Sequence, residues 1–109
     1  MRAGRMRHRV AIQSPSTAVD SFGEQTDSWS TDATVWASIE PLSGREAQVA
    51  KQTNPRLSHR VLMRHRTGVT PRQRLVFGTG GDARTYEIAQ VINPDERNIS
   101  LRIMCVEEL

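Results

Sequence analysis

Short runs in which apolar and polar residues alternate with a period of two dominate this chain, and such runs fold as half-buried strands. Val10 and Ile12 alternate with Arg9, Ala11 and Gln13. Val35, Ala37 and Ile39 alternate with Trp36, Ser38 and Glu40, and Pro41 ends that run by withholding a ladder donor. Val61 and Met63 stand against Arg60, Leu62 and Arg64. Leu75 and Phe77 make a short run, and Tyr86, Ile88 and Val91-Ile92 make another whose change of phase at Ala89-Gln90 predicts a bulge. Ile99, Leu101, Ile103 and Cys105 close the chain as one apolar face opposite Ser100, Arg102 and Met104.

Turn formers separate these runs. Asp20-Ser21-Phe22-Gly23-Glu24 precedes Gln25–Trp29, which reads as a polar strand, and Gly78-Thr79-Gly80-Gly81-Asp82 and Asn93-Pro94-Asp95-Glu96-Arg97-Asn98 read as hairpin closures. Thr67-Gly68-Val69-Thr70-Pro71 links two further strands. Several strands at short spacing predict a mainly β fold, a small antiparallel β-barrel or sandwich. At 109 residues, with no linker or repeat, the chain is expected to be one domain over residues 1–109.

One segment departs from the pattern. Residues 42–55 form a long excursion between two strands, and Ser43-Gly44-Arg45-Glu46 reads as a capping box. Ala47-Gln48-Val49-Ala50-Lys51-Gln52 favours helix, and Asn54-Pro55 stops it. A helix this short needs tertiary contacts to hold it.

Composition narrows the function. No apolar run approaches the ~20 residues that span a bilayer, and no apolar stretch follows the basic N-terminus to make a secretion signal. Cys105 is the single cysteine, so an internal disulfide framework or a multi-cysteine zinc site is excluded, which fits a reducing compartment. His8, His59 and His65 lack metal-motif spacing and read as surface or interface residues, and Cys105 sits in an apolar phase where a thiol acts as a small hydrophobe. Gly78, Gly80 and Gly81 precede a strand rather than a helix, so they make no phosphate cradle. The chain is not expected to be an enzyme, and nothing implies a cofactor or metal.

Charge is unevenly placed. Of 15 cationic residues 14 are arginine, and between Glu46 and Asp82 there is no acid against Lys51, Arg56, Arg60, Arg64, Arg66, Arg72 and Arg74. Arg2, Arg5, Arg7 and Arg9 form a second basic block. Such a stripe suits phosphates or an acidic partner, and equally an ordinary solvated face. No aromatic lies between Trp36 and Phe77, so base stacking is unsupported, whereas backbone contact through arginine would depend steeply on salt.

Taken in order, Gly4, Arg7–Gln13, Asp20–Glu24, Trp29, Val35–Pro41, Ser43–Glu46, His59–Arg64, Tyr86–Ile88 and Leu101–Glu107 resemble the small phage head–tail joining proteins. These are the head-closure or stopper proteins of long-tailed bacteriophages and prophages. The resemblance implies a β-barrel structural protein of the virion, assembled in the bacterial host cytoplasm and placed at the head–tail junction. It implies a ring of six or twelve copies under the portal and adaptor that closes the DNA channel and presents the tail docking surface. The excursion would point toward the channel, with Ser43, Gly44 and Glu46 at its base. Arg60, Arg64 and Arg66 are then candidates for an interface or DNA-facing surface, and Trp36 and Ala37 for core or inter-subunit packing. Two alternatives stand beside this: a free nucleic-acid-binding barrel, and another connector component such as an adaptor or tail terminator.

Overall fold

The computed structural model describes residues 6–19, 23, 25–78 and 80–108. The strands are β1 (His8–Val19), β2 (Gln25–Pro41), β3 (His59–Arg64), β4 (Arg74–Phe77), β5 (Arg84–Ile92) and β6 (Ser100–Glu108), with one helix, α1 (Gly44–Thr53), between β2 and β3. They close an antiparallel barrel in the order β1-β2-β3-β6-β5-β4. The expected β-barrel with one helix-bearing excursion is therefore the observed architecture.

The inward phase of each strand supplies the core. Val10, Ile12, Ala37, Val61, Met63, Leu75, Tyr86, Ile88, Leu101, Ile103 and Cys105 form one buried cluster, the residues that the alternation singled out. Closure leaves no free edge within the barrel itself, so ladder hydrogen bonds are satisfied all round. Two bulges bend the wall. Ile88 pairs with Cys105 but Gln90 with Met104, which leaves Ala89 as the extra residue where the phase change predicted one. Ile12 pairs with Ala33 but Gln13 with Thr31, so Asp32 is extra in β2.

The Asp32 bulge helps to seal one end of the barrel. Buried Gln73 donates from Nε2 to Asp32 Oδ2 at 3.0 Å and to Ser14 Oγ at 3.1 Å. Its Oε1 accepts the Thr70 N–H at 2.9 Å, and Ser14 bonds Asp32 directly. At the opposite end the strand termini leave an open mouth lined by His8, Ile39, Pro41, His59, Phe77, Arg84 and Tyr86.

Three expectations change. The runs at 25–29 and 35–40 belong to one strand of 17 residues, because β1 continues to Val19 and pairs with β2 as far as Gln25. Beyond Gln13 no third strand pairs with this ribbon among the described residues, and six extra residues add ~20 Å. The molecule is accordingly elongated, at 50 × 29 × 28 Å. Ile99 precedes β6 and is exposed, whereas Met104, on the outward phase, is buried near α1. Trp36 faces solvent with Arg9 stacked over it at 5.2 Å, so of the Trp36-Ala37 pair only Ala37 enters the core. The turn expected at Asp20–Glu24, except Gly23, lies outside the described residues, as do Arg2, Gly4, Arg5 and Thr79.

Candidate functional site

The excursion forms as its propensities predict, but its start is held differently. Ser43 is the N-cap, and its carbonyl accepts the Ala47 N–H at 3.3 Å, yet its side chain makes no cap hydrogen bond. Glu46 does not reach back to the cap. Arg60 takes it instead: Nη1 donates to Glu46 Oε1 at 2.8 Å and to Oε2 at 2.7 Å. The carboxylate meets a full positive charge on Arg60, and that ion-pair attraction is an addition a neutral backbone amide cannot supply. The capping-box reading is thus corrected by a partner distant in sequence.

Arg60 joins two elements at once. On β3 it stands opposite Glu40 of β2, and its Nη2 donates to Glu40 Oε2 while Ser38 Oγ donates to Oε1 at 3.3 Å. The Glu40 hydrogen bond is the largest of the interactions that raise the Arg60 pKa, so this guanidinium stays charged. No residue of α1 is buried. Between α1 and the outer face of β5 and β6 lies a groove of about 880 Å³, with Val49 and Ala50 on the helix side and Leu57, Ile92 and Met104 on the barrel side. The helix is therefore tethered rather than packed, and the Glu46–Arg60 pair is its charged link to the barrel wall.

The three candidate arginines do not form one cluster. Arg60 and Arg64 share the outward face of β3, four residues and ~13 Å apart. Arg60 is occupied by carboxylates, whereas Arg64 and Arg66 are exposed and make no ion pair among the described residues. Arg74 stacks over Trp29 at 4.3 Å and hydrogen-bonds Gln13 Oε1 at 2.8 Å, contacts that the acid-free stretch does not reveal.

Two of the histidines, both only partly exposed, pack against aromatic rings. His8 packs edge-on against Phe77, with ring centroids 4.9 Å apart, and His59 against Tyr86 at 5.1 Å. Burial lowers the His59 pKa, and Arg84 adds to the effect against the opposing pull of Glu107. Glu107 lies 3.6 Å from His59 Nε2, and its own pKa is lowered chiefly by the hydrogen bonds from Arg84. Cys105 is fully buried and its thiol is pushed up to about 12, mainly by desolvation. A thiol held protonated in this way is no nucleophile.

The described residues thus form a closed barrel that carries one tethered helix and exposed arginines. The chain belongs to the phage head completion protein family, whose profile it matches over residues 1–108. It is 30% identical over 108 residues to head completion protein gp7 of Enterobacteria phage HK97, covering 96% of this chain and 95% of that protein. The solution structure of protein SF1141 from Shigella flexneri 2a shares the fold at a TM-score of 0.73 and 29% identity, over 98% of this chain and 96% of that one. A chain in the virion of a native gene transfer agent particle shares it at 0.60 and 19% identity, over 96% of each. The resemblance to head–tail joining proteins is thus borne out at the level of family: this is a structural component of the phage virion, in the head–tail connector class.

Proposed function

We propose that this protein is the stopper of its phage. Six or twelve copies form a ring beneath the portal and adaptor, close the DNA channel once packaging ends and present the surface on which the tail docks. The ring is assembled in the host cytoplasm and stays at the head–tail junction of the virion.

The observation that carries this reading is the combination of a closed barrel with one helix that buries none of its residues. A ring subunit needs a rigid body and an element free to meet its neighbours, and α1 is that element. Ser43, Gly44 and Glu46 stand at its base, where Arg60 sets its position from the barrel wall. Arg64 and Arg66, which lack ion-pair partners among the described residues, are the cations available to a neighbouring subunit or to packaged DNA. Family membership and the head completion protein of HK97 support the same role.

Electron microscopy of particles from a phage or prophage lacking this gene tests the reading. Free tails beside untailed heads, many emptied of DNA, are expected. Normal tailed particles would refute it and turn attention to salt-dependent nucleic-acid binding by the isolated barrel.

A further inference from the structure

The alternation that builds the core continues past it. Stepping two residues outward along each strand from the buried cluster gives His8 before Val10, Ile39 after Ala37, His59 before Val61, Phe77 after Leu75, Arg84 before Tyr86 and Glu107 after Cys105. Because neighbouring strands are antiparallel, these positions meet at one end and form the last inward layer of the barrel. That layer is aromatic and polar, and it surrounds a hollow of about 270 Å³.

Most of its polar groups already have partners. The Tyr86 hydroxyl is completely buried and has no hydrogen-bond partner among the described residues. His8 Nδ1 accepts the Ile39 N–H at 3.4 Å, which leaves Nε2 as the protonated nitrogen of the neutral ring. Ser58 Oγ accepts the Glu107 N–H at 2.8 Å and shares a hydrogen bond with His59 Nδ1, also at 2.8 Å, while His59 Nε2 lies 3.6 Å from the Glu107 carboxylate. Arg84 holds Glu107 with Nε and Nη2, both at 2.8 Å, and its Nη1 has no hydrogen bond among the described residues. The rim carboxylate is thereby engaged, and His8, Tyr86 and Arg84 all line the hollow, the Tyr86 hydroxyl closed off just behind its wall and the Arg84 side chain half exposed at its rim.

A buried hydroxyl without a partner is costly, and a ligand that satisfies it must bring an acceptor. We propose that this mouth is a binding site for a carboxylate, carried either by a small organic acid or by an Asp or Glu side chain of a neighbouring protein. The Phe77 and Tyr86 rings enclose the alkyl stem, and Tyr86, His8 and Arg84 donate to the head group. The site is separate from α1 and does not depend on the stopper reading.

Propionate is the probe, with propionamide as its neutral counterpart. Titration followed by NMR of the histidine and tyrosine ring resonances should show saturable shifts at His8 and Tyr86 with propionate, and at least tenfold weaker binding of propionamide. Tyr86→Phe removes only a hydroxyl that has no hydrogen-bond partner among the described residues, so the barrel should be retained, and propionate affinity should fall about tenfold. His8→Phe preserves the packing against Phe77 and should also weaken binding. A capped Gly-Glu-Gly peptide separates the two sources: tighter binding than propionate assigns the site to a protein side chain, weaker binding to a free acid. Absence of saturable shifts, or unchanged affinity in both variants, would overturn the proposal.

Discussion

At the scale of single residues, the contact that does most to place α1 is Arg60 bridging Glu40 and Glu46. Pairs this exposed stabilise by about 1 kcal/mol or less, so Arg60→Met should barely move the melting transition of the barrel. Its effect should be local: amide exchange in α1 is expected to rise about fivefold, because a loss of ~1 kcal/mol falls on an element with no buried side chain. Equal protection of α1 in variant and parent would show that the tether is elsewhere. Gly44 opens the helix at φ +58°, a conformation that resists a side chain although nothing lies within 4 Å of an added Cβ. Gly44→Ala should therefore cost about 1 kcal/mol through backbone strain alone.

Acid should weaken the open mouth of the barrel before the rest. The folded His59 pKa lies below its ordinary 6.5, so the unfolded chain takes up the proton first and stability falls as pH drops below 6.5 toward the folded value. Glu107 acts in the same sense at lower pH, since its folded pKa is lowered and its contribution is lost as it protonates. Urea midpoints measured from pH 8 to pH 5 should decline below pH 6.5, and His59→Phe should flatten that part of the curve. Cys105 makes an independent check on closure of the core. With its pKa near 12 and no exposure, it should resist thiol reagents at pH 8 in the native protein and react only on unfolding.

At the scale of elements, barrel and excursion respond differently to damage. Ile103→Ala empties part of a fully buried layer and should cost about 3 kcal/mol. Replacing α1 by a short Gly-Ser linker should cost far less, and the far-ultraviolet spectrum should keep its strand signature. The difference follows from which residues are legible in the sequence. Positions such as Val61, Met63 and Ile103 announce themselves because a two-residue period is a local property of a strand with one buried face. The long β1–β2 ribbon beyond Gln13 does not, since the sequence there carries no sustained apolar period and only pairing between the strands fixes its extent. Ser43 and Glu46 show the other limit. The capping-box spacing is present, but the choice between a backbone amide and Arg60 is made by a residue 14 positions away. The mouth lies within reach of the same period: His8, His59, Arg84 and Glu107 continue the inward phase, but a period-two pattern marks an inward position only where the residue is apolar.

At the scale of the whole molecule, an elongated body of 50 × 29 × 28 Å with a closed barrel, a projecting two-stranded ribbon and a tethered helix offers surfaces on several sides for assembly. In a ring, Arg64 and Arg66 would face a neighbouring copy or the DNA. Reversing both charges to glutamate should leave the monomer folded, because each is exposed, while reducing tailed, DNA-filled particles at least tenfold in a complementation assay. Unimpaired complementation would make that face ordinary solvated surface.

The decisive measurement is a focused cryo-electron microscopy reconstruction of the neck of the tailed particle. The account predicts a ring of this chain between the adaptor and the first tail ring, with residues 44–53 directed at the channel axis. Density placing this chain elsewhere in the particle, or α1 on the outer surface away from the channel, would contradict it.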